Sequence, residues 1–166
     1  MKHLDLAYER LSDLLDELYW AQFRYELAQE KLPNRSYTKL LKKTQKRHEE
    51  TAIHLIAIMQ KARKTYDGFD IPDSHIDQEW SRIASNGEKE RSILKFCLNQ
   101  DKIVLKQMTA LIDDGWLPTA FLSALVAAEF QLKQSREELK KVRKNLKDQP
   151  EKVKSKSLIE KLRSRF

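Results

Sequence analysis

Four histidines, one cysteine and twenty-five carboxylates are the side chains with which this 166-residue chain could do chemistry. A di-metal centre inside a helical bundle needs a Glu from each of two helices and a Glu-x-x-His from each of the other two, all facing the axis. His3, His48, His54 and His75 do not meet that pattern, and no Glu-x-x-His occurs. Glu50 and His54 stand four apart and could share a helix face, with His48 on the same segment and Glu129 on another. Glu50, His54, His48 and Glu129 are therefore the metal candidates, and they make an incomplete set. The plainer expectation is that His48, flanked by Thr44 and Thr51, sits in a hydrogen-bonded polar layer of the core, while Glu50 and His54 form an exposed helix pair. No cofactor is expected.

Cys97 lies beside Phe96 on an apolar stripe with no neighbouring base to make a thiolate, so core packing is its expected role. The spacing of Asp67, Asp70, Asp73 and Asp77 hints at calcium but lacks the glycine and terminal Glu of a calcium loop. A Gly-rich phosphate loop, a serine elbow and a zinc signature are all missing from the sequence. These observations point away from an enzyme.

The elements that would position such residues are helices. Apolar residues are 40% of the chain and charged residues 34%, with three Gly and four Pro, a balance that suits long amphipathic helices rather than a turn-rich sheet. Apolar spacings of three, four and seven predict helices from about Leu4 to Lys31, Tyr37 to Tyr66, Glu88 to Asp113 and Pro118 to Leu146. Leu32-Pro33-Asn34-Arg35-Ser36 breaks the first from the second, with Ser36 as the expected N-cap. Asp67 to Gly87 is the one long break, and Ile76 to Ala84 within it is expected to form a short helix holding Trp80 against the bundle. About 20 residues at roughly 3.3 Å each can cross a bundle from end to end. Periodicity alone leaves two topologies open, a parallel crossover between the second and third helices or a simple up-down bundle. Tyr19, Trp20, Phe23 and Tyr25 cover more than one face of the first helix. Part of that set is expected either in a dimer contact or, for Trp20, under the crossover.

Residues 79–143 resemble the C-terminal half of a bacterial ferritin-like domain family of unknown function, whose members are mostly small stand-alone four-helix bundles. The resemblance rests on Glu79-Trp80, on Glu88-Lys89-Glu90-Arg91-Ser92-Ile93-Leu94, on Leu105 to Trp116 with Leu117-Pro118, and on the last helix ending Leu139-Lys140-Lys141-Val142-Arg143. A looser match around Leu11 to Leu18 and Tyr25-Glu26 extends it to about residues 8–146. It implies an all-α, ferritin-like four-helix bundle with a long crossover between helices two and three, and it brings no established activity. Where relatives can carry a His in the last helix this chain has Arg136, and where they carry a Glu early in the third it has Asp101.

The net charge of +7 is unevenly spread along the chain. Residues 140–166 hold eleven Lys or Arg against Asp148, Glu151 and Glu160. Residues 1–139 therefore sum to −1, and two parts are expected: a bundle over 1–148 and a basic, flexible tail over 149–166. Lys152, Lys154, Lys156, Lys161, Arg163 and Arg165 are the candidates for binding an anionic surface, with Leu158, Ile159, Leu162 and Phe166 on one face if the end becomes helical. The first residues run into charged helix rather than an apolar leader, and the single cysteine suits a reducing compartment, so a cytoplasmic protein is expected. The function expected first is a non-enzymatic bundle acting through protein–protein contacts, self-association included. The alternatives are a peripheral binder of anionic membrane or nucleic acid through the tail, and a metal-binding carboxylate bundle serving as an oxidase or in iron handling.

Overall fold

The computed structural model of the chain describes residues 2–68 and 74–146. The expected tail, with Lys152, Lys154, Lys156, Lys161, Arg163 and Arg165, lies outside the described residues. Among those described, all regular structure is helical: α1 (Lys2–Lys31), α2 (Thr38–Lys61), α3 (Ser74–Ser85), α4 (Glu90–Asp114) and α5 (Thr119–Leu146). The described residues form an all-α helical bundle, with four long helices and one short one among them. None of the described helices is long and apolar enough to cross a membrane.

Local chemistry sets the helix ends. Asn34 takes a left-handed backbone (φ 62°) after α1. Thr38 closes that turn, its Oγ1 accepting from Arg35 N and donating to Leu32 O, both at 2.9 Å. The expected cap at Ser36 is not used: α2 begins behind Tyr37, which makes no side-chain cap bond. α2 also ends at Lys61, five residues before the apolar period runs out. Arg63 turns left-handed (φ 57°), and Lys64 N reaches back to Met59 O at 2.8 Å. Tyr66 is thereby freed to stack on Tyr19, with its hydroxyl on Asp16. Gly115 (φ 65°) closes α4, where a left-handed residue without Cβ strain is needed.

Ion pairs at the two ends fix the helix directions. Lys31 meets Glu88 at 3.1 Å, and Arg10 meets Asp114, so α1 and α4 are antiparallel. Arg47 donates to Ser135 Oγ at 2.7 Å, and Arg143 donates to Arg91 O at 3.1 Å, so α5 is antiparallel to α2 and α4. Tyr37 at the start of α2 bonds Glu90 at the start of α4, so those two run parallel. α1 packs on α2 and α4, and α5 packs on α4 and α2, while α2 and α4 stand on a diagonal. The segment joining them must therefore return along the bundle, about 36 Å for the 24 residues of α2. α3 rides on that segment and packs on α4, with Trp80 against Phe96 at 5.3 Å between ring centroids.

The apolar stripes meet in two clusters. One gathers Leu11, Leu14, Leu15, Leu18, Leu55, Met59, Met108, Leu111, Phe121 and Leu125; the other gathers Tyr25, Leu41, Ile93, Phe96, Cys97 and Leu139. Each fully buried Leu contributes roughly 1.5–3 kcal/mol. Trp20 is buried in the second cluster, to which Ile83 of α3 also belongs, whereas Phe23 is exposed and lies edge-on to Trp20.

Candidate functional site

Six polar side chains are buried among the described residues: Arg24, Thr44, His48, Gln100, Asp101 and Ser135. Thr44, His48, Gln100, Asp101 and Ser135 each fall between the stretches of their helices that feed the two apolar clusters and form a polar layer, whereas Arg24 stands at its edge, within the second cluster and against Phe96. Burying a polar group is costly unless it is hydrogen-bonded, and most of these side chains find partners, although Arg24 Nε and Gln100 Oε1 have none among the described residues.

Asp101 is its centre. The residue is fully buried, and both carboxylate oxygens are used. The Tyr25 hydroxyl donates to Oδ2, and His48 Nε2 stands 2.9 Å from Oδ1. With a carboxylate as partner, Nε2 is the donor. The Tyr25 and His48 rings lie 5.6 Å apart. Burial first, then the charge of Asp101, raises the Tyr25 phenol well above its ordinary value, so it stays protonated and donates. Thr44 and Thr51 turn their hydroxyls to the backbone, donating to Leu40 O and Arg47 O at 2.8 Å each.

Arg24 anchors the edge of the layer. Its Nη1 donates to Phe96 O at 2.8 Å and to Glu79 Oε2 at 2.9 Å, and its guanidinium lies 4.3 Å from the Phe96 ring centre. Burial lowers its pKa, and the Glu79 carboxylate from α3 partly restores it. Asn99 holds the other oxygen of Glu79 at 3.1 Å. Arg24 therefore clips α3 to the bundle. The sequence offered no reason to single it out.

The metal candidates are not brought together. His48 lies in the layer. Glu50 and His54 are exposed, beside a shallow groove between α2 and α5 that Ala120, Ala124 and Ala127 line from the other side. Glu129 turns toward α4, accepting from Thr109 Oγ1 at 2.7 Å and from Lys133 at 3.2 Å. Among the described residues no three His, Cys, Asp or Glu side chains form a group that could hold a metal ion. Arg136 reaches the layer closely enough for its charge to act on Tyr25. Cys97 is fully buried with Sγ 3.7 Å from Arg24 O, and burial, with Asp101 adding to it, pushes its thiol well above the usual range. That environment disfavours the thiolate a nucleophile needs.

The enclosed space beside His48, lined by Thr44, Arg47, Thr51, Gln131 and Ser135 among others, amounts to about 10 Å³. That is room for about one water, and too little for a substrate. The fold and the layer together define an all-helical bundle with a hydrogen-bonded polar centre. Compared with protein-family models, with curated proteins and with solved structures, the chain matches none.

Proposed function

We propose that the chain is a ferritin-like four-helix bundle that does no chemistry of its own and works through contacts with other proteins, further copies of itself included. The parallel diagonal pair α2 and α4, joined by a segment that returns along the bundle, supports the ferritin-like assignment. The polar layer stands at the level where bundles of that kind set inward carboxylates and imidazoles. Here it offers one carboxylate and one imidazole, already committed to each other and to Tyr25.

The observation that carries the contact function is on α5. Val126 and Phe130, one turn apart, are 50% and 63% exposed on the outer face of the helix. Ala120, Ala124 and Ala127 on its flank leave the groove against α2 shallow and smooth, the surface relief into which another helix packs. A buried, protonated Cys97 suits a reducing, cytoplasmic setting.

Sedimentation of the full chain over a range of concentrations, with site-specific photo-crosslinking from position 130, tests this function. A concentration-dependent mass or a discrete protein adduct is expected. Phe130→Asp is expected to remove the assembly without lowering the melting temperature. A monomer at every concentration, with no adduct above that from exposed Gln60, sinks the proposal.

A second function, binding of an anionic surface through the basic tail, is favoured by one feature of the fold. α5 delivers residue 146 to the same end of the bundle as the lysine-rich start of α2.

A further inference from the structure

Building on the anionic-surface function just described, we propose that the folded bundle itself carries a docking face for an anionic phospholipid bilayer, formed by the first half of α2 and the last turns of α5. Between Arg35 and His48 the chain has six cations and no carboxylate. Folding turns this run into outward rows: Lys39, Lys42, Lys43 and Lys46 are all exposed, with Lys39 and Lys43, and Lys42 and Lys46, each four apart. Like charges at that spacing repel within a helix. Among the described residues no carboxylate forms an ion pair with any of the four; the pairs at this end are Lys31 with Glu88, Arg35 with Glu90 and Lys140 with Glu137. The near-zero sum over the body thus hides a segregation. Residues 1–30 hold seven carboxylates against three cations, while the positive charge collects on α2 and α5.

α5 brings further cations to the same end. It runs antiparallel beside α2, with Arg47 on Ser135 at 2.7 Å and Leu41 in one cluster with Leu139 and Val142. Lys141 and Lys144, both exposed, are therefore carried to the same end. From there the chain continues into residues 147–166, which add Lys152, Lys154, Lys156 and four large apolar residues. A single weak signal holds a protein to a bilayer only marginally, and two adjacent ones combine.

The chemistry of the face fits a bilayer better than a nucleic acid. A bilayer reads charge density over a flat area, for which lysines on a convex pair of helices suffice. Nucleic-acid sites draw on arginine forks or aromatic platforms. On this face the exposed cations are lysines apart from Arg35, which is paired with Glu90, and the aromatic Tyr37 at its edge is buried.

The test is flotation of the full-length protein with vesicles of phosphatidylcholine alone, or phosphatidylcholine mixed with phosphatidylglycerol, with a DNA duplex at the same ionic strength as a parallel arm. One variant replaces Lys39, Lys42, Lys43 and Lys46 by Gln, and another replaces the six tail cations by Gln. Binding only to the vesicles with phosphatidylglycerol is expected, falling about fivefold per bundle lysine removed at an unchanged melting temperature. The tail variant is expected to keep part of the binding. A bundle variant that binds like the unmodified chain overturns the docking face and leaves the tail as the sole site. Tighter binding to DNA than to the anionic vesicles also overturns it. If the unmodified chain binds neither, the docking face and the tail function fall together, and the protein-contact function stands untouched.

Discussion

Asp101 and His48 meet across the diagonal of the bundle, Oδ1 to Nε2 at 2.9 Å, although the backbones of α2 and α4 do not pack on each other. Tyr25 from α1 takes the other carboxylate oxygen. Three helices that could slide along their apolar stripes are thereby pinned at one level. A misregister by a single turn would leave a buried carboxylate without donors, which costs several kcal/mol in an apolar interior.

Removing one member should therefore be much worse than removing all three. Asp101→Leu alone leaves Tyr25 and His48 buried without an acceptor and is expected to cost about 3 kcal/mol or more. The triple replacement Asp101→Leu, His48→Leu, Tyr25→Phe is expected to recover most of that loss. Urea unfolding of the single and triple variants measures the difference. A triple variant no more stable than the single one would show that the layer does more than satisfy itself.

The tyrosines predict a sharp alkaline limit. Burial is the largest cause raising Tyr25, Tyr37 and Tyr66, and the carboxylates of Asp101, Glu90 and Asp16 add to it. A phenol whose folded pKa is raised contributes stability that is fully present below its unfolded value, about 10, and is lost as pH rises beyond it. Tyrosinate absorbance should show these three still silent where an ordinary phenol ionises, at about pH 10, and then appearing together with the loss of helical circular dichroism. Smooth titration of all five tyrosines in a folded protein would contradict this.

Arg24 and Glu79 should respond unequally to mutation. Arg24 is almost fully buried, whereas Glu79 is partly exposed. Glu79→Ala leaves an unpaired cation in the core and is expected to destabilise by about 3 kcal/mol. Arg24→Met removes that charge but keeps a long apolar stem, and is expected to cost clearly less. Both should raise hydrogen exchange across residues 78–85 selectively, because α3 loses its clip. Exchange spread evenly over the bundle would argue against that role.

The stripes that make the four long helices were legible because packing and period coincide: Leu11, Leu14, Leu15 and Leu18 are all fully buried, as their spacing predicts. His48 was legible for the same reason, standing in line with Leu41, Thr44 and Leu55. Asp101 was not, since between Gln100 and Lys102 a lone Asp reads as surface, and its partners arrive from 53 and 76 residues away. One signal was present. Cys97, Asp101, Val104, Met108 and Leu111 step by four, three, four and three, so Asp101 occupies a seam position. Arg24 lies off any such seam, and its burial depends on α3 folding back over it. The early end of α2 was hidden because the period continues through Ala62, while the chain leaves the helix at the left-handed Arg63. The charged face escaped notice because summing over residues 1–139 cancels α2 against α1.

The central claim is that the Asp101, His48 and Tyr25 cluster of the mid-bundle layer is a structural hydrogen-bond network rather than a metal centre. It is tested most directly by titrating the full-length protein with Fe(II) in air, and with Zn(II) in parallel. Metal uptake and the ¹⁵N resonances of the His48 ring would be followed together. Unchanged His48 signals, with Nε2 protonated toward Asp101, and no stoichiometric uptake are predicted. Saturable binding of one or two ions per chain, with loss of the Nε2 proton and displaced His48 resonances, would contradict the account.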